Sequence, residues 1–330
     1  MRKRLLLMLL LVVGAVAYGG IYWWGRMQEA GFANDGVPIR LPAGLQPILD
    51  AAEVIRPLHE KKRPNQPGDW LERFPEGGQT FAQYVQFCQS RPLKDDYSTL
   101  YIQPLGEFDE TQQRIVEKTA EFMGHYFGRP VKTLDALEWG EIPAASQRTR
   151  SDGERQLLTT WIMHDILKPR RPDDAIAVIG LATDDLWSGG YNWLFGEASI
   201  TERVGVWSMH RNGDPRAGEE AFTLCLRRTL KTAVHETGHM LGIPHCSAYE
   251  CSMNGSNNRN ESDRQPLEFC PECQPKIWWS CGADPVKRSQ ALRRFATDNG
   301  LQPEAALWGR ELDALGHAHS ENHAASERGT

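Results

Sequence analysis

The chain has no excess of positive charge. Its 330 residues carry 37 Lys and Arg against 43 Asp and Glu, a formal net charge of -6. Without a basic surplus to neutralise phosphates, general nucleic-acid binding is set aside. There is no internal repeat, so repeat architectures are set aside as well. Cysteine is scarce, with 7 residues, and four of these fall in two short-spaced pairs in one stretch of the chain. What is present, 40% hydrophobic and 24% charged residues, suffices for one sizeable core and a smaller satellite.

Histidine is also sparse, at 10 residues, yet three of them stand in the run His235-Glu236-Thr237-Gly238-His239-Met240-Leu241-Gly242-Ile243-Pro244-His245. A helix advances about 100° per residue, so His235 and His239 share one face, one turn apart, and can aim at a single ion. Glu236 lies beside that face, where it can take a proton from a water that a zinc ion has acidified. Gly242 marks the helix stop, a position favouring positive φ, and the turn returns His245 as a third ligand. The helix is expected to start near Asp214 as cap and Pro215 at its first position, with Glu219 and Glu220 favouring the dipole. Phe222, Leu226, Leu230, Ala233, Val234 and Leu241 recur at helical spacing and predict its buried side, with Cys225 as a small core residue.

A second signature follows at Cys246, Cys251, Cys270 and Cys273. Four thiolates in two short pairs suit a closed tetrahedral zinc site, and two disulfides are the alternative in an oxidising compartment. The polar stretch Asn254 to Arg264 between the pairs has few apolar residues to bury, so a crosslink on both sides is expected to hold it. Tyr249 is expected to pack within this loop, the other reading being a group that reaches the zinc.

The extended zinc motif running into Cys246, then Cys251-x-Met253 and the distant Cys270-x-x-Cys273, resembles the archaemetzincins, zinc peptidases of the metzincin clan. Weaker similarity extends through Tyr101 to Gly106, Thr183 to Leu186 and Phe195 to Ala198, covering roughly residues 98 to 280. The resemblance implies His235, His239 and His245 on the catalytic zinc, Glu236 as base, Met253 in a turn beneath the metal, and the four cysteines on a second zinc. It also implies an edge strand that grips an extended peptide; we assign this to Asn192, Trp193, Leu194, Phe195, Gly196, Glu197 and Ala198, where backbone pairing would hold the substrate.

Periodicity predicts an α/β domain, a twisted mixed sheet backed by helices. It has a long active-site helix and a small zinc-stabilised C-terminal subdomain. Strands are expected at Leu100 to Leu105, near Val131, at Ala175 to Leu181, at Trp193 to Ala198 and at Gly205 to Met209. Helices are expected at Asp109 to Tyr126, Leu157 to Leu167, Pro285 to Asp298 and Glu304 to Leu315. The domain divides as 1–25 membrane-targeting segment, 26–97 Pro-rich stalk, 98–316 peptidase domain and 317–330 disordered tail. In the stalk, one short helix from Thr80 to Phe87 ending at Cys88 is expected, and the cluster His59-Glu60-Lys61-Lys62-Arg63 reads as a solvated surface with no chemistry.

Met1-Arg2-Lys3-Arg4 followed by an apolar run from Leu5 to about Trp24 reads as a signal anchor. Ala15-Val16-Ala17 offers a signal-peptidase site as the alternative, giving a secreted or periplasmic protein, and a buried helix is a third reading. The positive-inside rule keeps the N-terminus cytoplasmic and exports the domain. The expected function is hydrolysis of peptide or protein substrates with two zinc ions. A membrane-tethered, zinc-stabilised binding module without turnover is the alternative, and retention of Glu236 favours the enzyme. The sequence leaves the oligomeric state open.

Overall fold

The computed structural model describes residues 41–88, 93 and 96–328. The N-terminal apolar run lies outside the described residues, and no helix among them is long and apolar enough to cross a membrane.

Two sheets carry the architecture. The strands are β1 (Thr99–Leu105), β2 (Val131–Thr133), β3 (Gln147–Thr149), β4 (Arg155–Leu158), β5 (Ala175–Ala182), β6 (Asp185–Ser188), β7 (Tyr191–Leu194), β8 (Gly196–Ser199) and β9 (Val204–Ser208). The larger sheet has the order β2-β1-β5-β9-β8 and the smaller the order β3-β4-β6-β7. In the larger sheet β2, β1, β5 and β9 are parallel, and only β8 runs antiparallel, at the edge beside β9. Parallel strands covered on both faces read as continuous apolar runs, and Ala175–Ala182 is such a run, buried throughout. Its residues divide between two cores: Ile176, Ala177, Ile179 and Leu181 face one, Val178 and Ala182 the other.

The helices are α1 (Gln46–Ile55), α2 (Phe81–Phe87), α3 (Glu110–Phe127), α4 (Glu219–Met240), α5 (Gln274–Cys281), α6 (Pro285–Asp298) and α7 (Gln302–Arg328), with shorter turns between them. Helix α3 opens with a capping box: Asp109 accepts from the Gln112 amide and Gln112 reciprocates, while Gly128 ends the helix at φ 63°. Such a box satisfies two of the amide groups that a helix start leaves bare.

Several expectations are corrected. Helix α4 begins at Glu219 with Gly218 as N-cap, so Asp214 and Pro215 lie before it; Asp214 instead binds Arg216 in its own turn. The helix expected at Leu157 to Leu167 starts two residues later: Leu157 and Leu158 end strand β4, and the helical stretch runs from a short α turn, Thr159–Trp161, into a π-helical segment, Ile162–Leu167. The last helix runs on to Arg328, so the stretch from Gly316 expected as a tail continues it. The C-terminal helices pack against the main core, where Leu292, Phe295 and Trp308 join Phe122 of α3.

The largest correction concerns residues 43–87, expected as a stalk. Leu45, Ala52, Ile55, Phe81 and Tyr84 are buried in the same core as the long helices. The reason is spacing: Ala52 and Ile55, and Phe81 and Tyr84, stand three apart and line one helix face each. The charge cluster after α1 is solvated only in part: Glu60, Lys61 and Arg63 are exposed, whereas His59 and Lys62 are drawn in against the fold. His59 bonds buried Glu311 at 2.7 Å, the Lys62 and Glu250 amides bond the Ala248 and Glu60 carbonyls, and Lys62 pairs with Glu250. This segment is zipped to the cysteine loop by backbone and charge together.

Candidate metal centre and active-site cleft

Helix α4 delivers His235 and His239, and its end delivers the third histidine. The Ile243 amide bonds the Gly238 carbonyl and the Gly242 amide bonds His239, with Gly242 at φ 84°. This paired closure is the Schellman geometry, which needs a left-handed residue at its second position. It throws Pro244 and His245 back across the helix end. Every ligand atom of the three imidazoles then lies within 4.8 Å of the others.

The protons are assigned by what each inner ring nitrogen meets. Nδ1 of His235 is 2.7 Å from the Ser252 carbonyl and Nδ1 of His239 is 2.8 Å from the Ile243 carbonyl. A carbonyl only accepts, so both Nδ1 atoms carry the hydrogen and both Nε2 atoms are bare lone pairs. Those two lone pairs face each other at 3.1 Å. A bridging proton is opposed: burial first, and then the His245 charge, push His235 down to about 3, and burial lowers His239 as well. Converging lone pairs that resist protonation are the donor set of a divalent cation, and zinc fits.

The third ring is held differently. His245 Nδ1 meets Glu76 Oε2 at 2.8 Å, and the ring edge packs on Trp70 with centroids 5.1 Å apart. Neither residue was singled out in the sequence. Glu76 belongs to no motif, and the only trace of its segment's docking is the helical spacing of apolar residues on either side.

Glu236 is 6% exposed and lies under the edge strand. A Cβ at Gly196 would come within 2.9 Å of Glu236 Oε1, so only glycine leaves the carboxylate its place. Burial first, then the Glu197 charge, push Glu236 up to about 8. A dication at the imidazoles would draw it back towards the carboxylate form. Glu197 points the other way, to the Thr159 hydroxyl.

The expected substrate strand is broken in two. Asn192, Trp193 and Leu194 lie in β7 of the smaller sheet, with Leu194 paired to Leu186, and the Asn192 carbonyl is taken by Arg148 and Gln156. Phe195 is the bend between the sheets. Only Gly196, Glu197 and Ala198 lie on the free edge, in β8. The carbonyls of Phe195 and Ser199 bond inward to the Ser208 and Arg203 amides. Antiparallel alternation therefore turns the backbone groups of Gly196 and Ala198 outward.

Below helix α4, Met253 is fully buried with its sulfur against Gly238. Beside it, Cys246, Cys251, Cys270 and Cys273 bring their sulfurs within 4.8 Å of one another. Cys246 and Cys270 are 3.6 Å apart. A disulfide needs about 2.05 Å, whereas four sulfurs about 2.3 Å from one zinc lie about 3.8 Å from each other. All four are free and buried. The Met253 and Cys270 amides point at Cys251 Sγ at 3.4 and 3.3 Å, donors that favour thiolate. Hydrogen bonds from the other three thiols, Cys251 first, hold Cys246 well below the usual thiol range, while burial pushes Cys251 and Cys270 up. The donors again fit zinc. Tyr249 packs in this loop at 1% exposure, its oxygen accepting from Arg56 and Lys61. Cys225 is core, as expected.

A helix presenting two histidines, a returning third, and a carboxylate beneath an antiparallel edge strand define a zinc-dependent hydrolase. The model of peptidase family M54 matches residues 162–278. The archaemetzincin of Archaeoglobus fulgidus is 33% identical over 178 residues, 54% of this chain and 98% of that protein. That of Thermococcus kodakarensis is 31% identical over 186 residues, 54% and 94% respectively. Archaemetzincin-2 of Macaca fascicularis is 28% identical over 304 residues, 80% of this chain and 84% of its own, reaching well beyond residues 98–280. A crystal structure of the Archaeoglobus fulgidus protein complexed with malonate is 32% identical with a TM-score of 0.43, covering 54% of this chain and 99% of that one. The chain belongs to the archaemetzincin family of zinc metallopeptidases.

Proposed function

We propose that this chain hydrolyses peptide bonds in the cleft between helix α4 and strand β8, with His235, His239 and His245 holding one zinc ion and Cys246, Cys251, Cys270 and Cys273 a second, structural one. The observation that carries the reading is the set of bare imidazole nitrogens converging beside buried Glu236. When bound, the catalytic zinc supplies Lewis acidity, acidifying water and polarising the scissile carbonyl. Glu236 takes the water's proton and passes it to the departing amine. The outward backbone groups of Gly196 and Ala198 pair with an extended substrate, so any sequence can be gripped and side-chain pockets choose among them. Met253 supports the floor beneath the histidines. The four sulfurs leave no position for water, which suits a crosslink and not chemistry.

The basic N-terminus and the apolar run after it support a membrane-anchored chain, N-terminus in, with the catalytic domain exported and the four cysteines kept reduced by their zinc. Thiol labelling after denaturation and chelation should find all four free, and recovery of two disulfides would overturn that part of the reading.

The test of the mechanism separates ligand from base. Glu236→Gln should keep two zinc ions per chain and lose about 10²- to 10⁴-fold in cleavage of a peptide pool, the range of a removed general base. Undiminished turnover by that variant sinks the mechanism.

A further inference from the structure

We infer that Glu76, from the segment that precedes the catalytic core, is a positioning residue of the catalytic metal centre, and that zinc binding and closure of the Trp70 to Gly78 stretch over His245 are thermodynamically coupled. The inference rests on the reading of His235, His239 and His245 as zinc ligands.

The three imidazoles are held by unlike partners. Two donate Nδ1–H to backbone carbonyls of the helix end and the cysteine loop, whereas His245 meets a carboxylate, Glu76 Oε2. The Glu76 side chain is 5% exposed. Its other oxygen accepts from the Trp70 indole at 3.0 Å, and that indole stands edge-on to the His245 ring. No lysine or arginine among the described residues pairs with Glu76; its one ionic partner is His245. A buried carboxylate is costly unless a cation balances it. With His245 as ligand, the nearest cation is the metal, one imidazole away. A carboxylate behind a ligating histidine fixes the ring and raises its donor strength.

The stretch that carries Glu76 is docked on the polar part of the cysteine loop. The Trp70 amide donates to Glu261, Asp69 pairs with Arg264 and the Asn257 amide group bonds the Gly68 carbonyl. Trp70 also packs on Gly255. The polar residues 254 to 264 are thus held by this segment as well as by the sulfurs on either side. Because coupling between two binding events is reciprocal, whatever Glu76 adds to zinc affinity, zinc adds to the closure of this stretch.

The full chain, solubilised in detergent, tests this in three measurements. Competition with a zinc chelator should show Glu76→Gln weakening the histidine site by about 10- to 100-fold with the cysteine-bound zinc unchanged. The melting loss caused by Glu76→Gln should vanish in a His239→Ala background, where no metal remains for the carboxylate to balance; a purely structural glutamate would cost the same in both. In the unsubstituted chain, zinc should slow tryptic cleavage after exposed Arg73, read by fragment mass, so a variant that fails to fold does not decide the matter. Unchanged zinc affinity, equal melting losses in the two backgrounds, or cleavage after Arg73 indifferent to zinc each overturn the inference. If His239→Ala itself still binds two zinc ions, the ligand reading beneath it is what fails.

Discussion

The histidine cluster and the cysteine cluster share a loop and differ in almost every physical respect. Ser252 links them: its carbonyl receives the His235 ring and its amide donates to the Glu268 carbonyl, with Cys251 as its neighbour. The sulfurs are buried, and two backbone amides point at Cys251 Sγ. The imidazoles are partly exposed, each fixed on its inner nitrogen and bare on the outer one, beside a carboxylate and a free strand edge. One arrangement closes a coordination sphere and the other leaves it open to water and substrate. The difference is set by where the chain is long enough to wrap. The loop from Cys246 to Cys273 turns back on itself around the sulfurs, whereas the histidines come from a rigid helix and a single tight turn.

Ligand loss is the severest way to break this comparison. Cys270→Ser should cost most of the domain's stability, on the order of several kcal/mol, because structural zinc contributes folding free energy directly. His239→Ala should shift the melting temperature by only a few degrees while abolishing activity. Similar losses of melting temperature in the two variants would show that the clusters are not divided by role.

Gly196→Ala sharpens the contrast at the open site. Its Cβ would stand against the Glu236 carboxylate, displacing it from the metal's water. An activity loss of about tenfold or more is expected, with both zinc ions retained and melting nearly unchanged. Wild-type kcat/KM in that variant would show that Glu236 has room to move.

The smallest expected effect is an acid slope. Burial, and then the His245 charge, lower His235 to about 3, so the folded metal-free chain refuses a proton that the unfolded chain accepts near 6.5. Stability tied to this ring is complete above about 6.5 and declines as pH falls towards 3. Melting curves of the chelated protein across that range should show the slope, and His235→Gln should flatten it; an identical slope in that variant would argue against burial as the cause.

Much of the active-site helix was legible because its chemistry is local. His235, Glu236, His239, Gly242 and His245 lie within eleven residues, and helix geometry alone brings them together. The helix expected at Asp109 to Tyr126 and the continuous apolar strand expected at Ala175 to Leu181 were legible for the same reason: each is specified by neighbours in sequence. Glu76 was not, since it meets a residue 169 positions away through a segment whose prolines suggested a stalk. Pro57 and Pro75 break that segment into short pieces, hiding the apolar spacing on Ala52, Ile55, Phe81 and Tyr84. The edge strand was half legible. Residues Asn192 to Ala198 read as one extended stretch, and only the bend at Phe195, which has no signature in residue type, assigns its two halves to different sheets.

The bare position at Gly196 has a use beyond this molecule. Because any Cβ there would crowd the base, the letter at this place in the edge strand is a diagnostic that can be read in an aligned genome without a structure. A chain that keeps the three histidines and the glutamate but carries a bulky side chain at the equivalent position is expected to bind metal and turn over poorly. One character would sort working peptidases from silent copies.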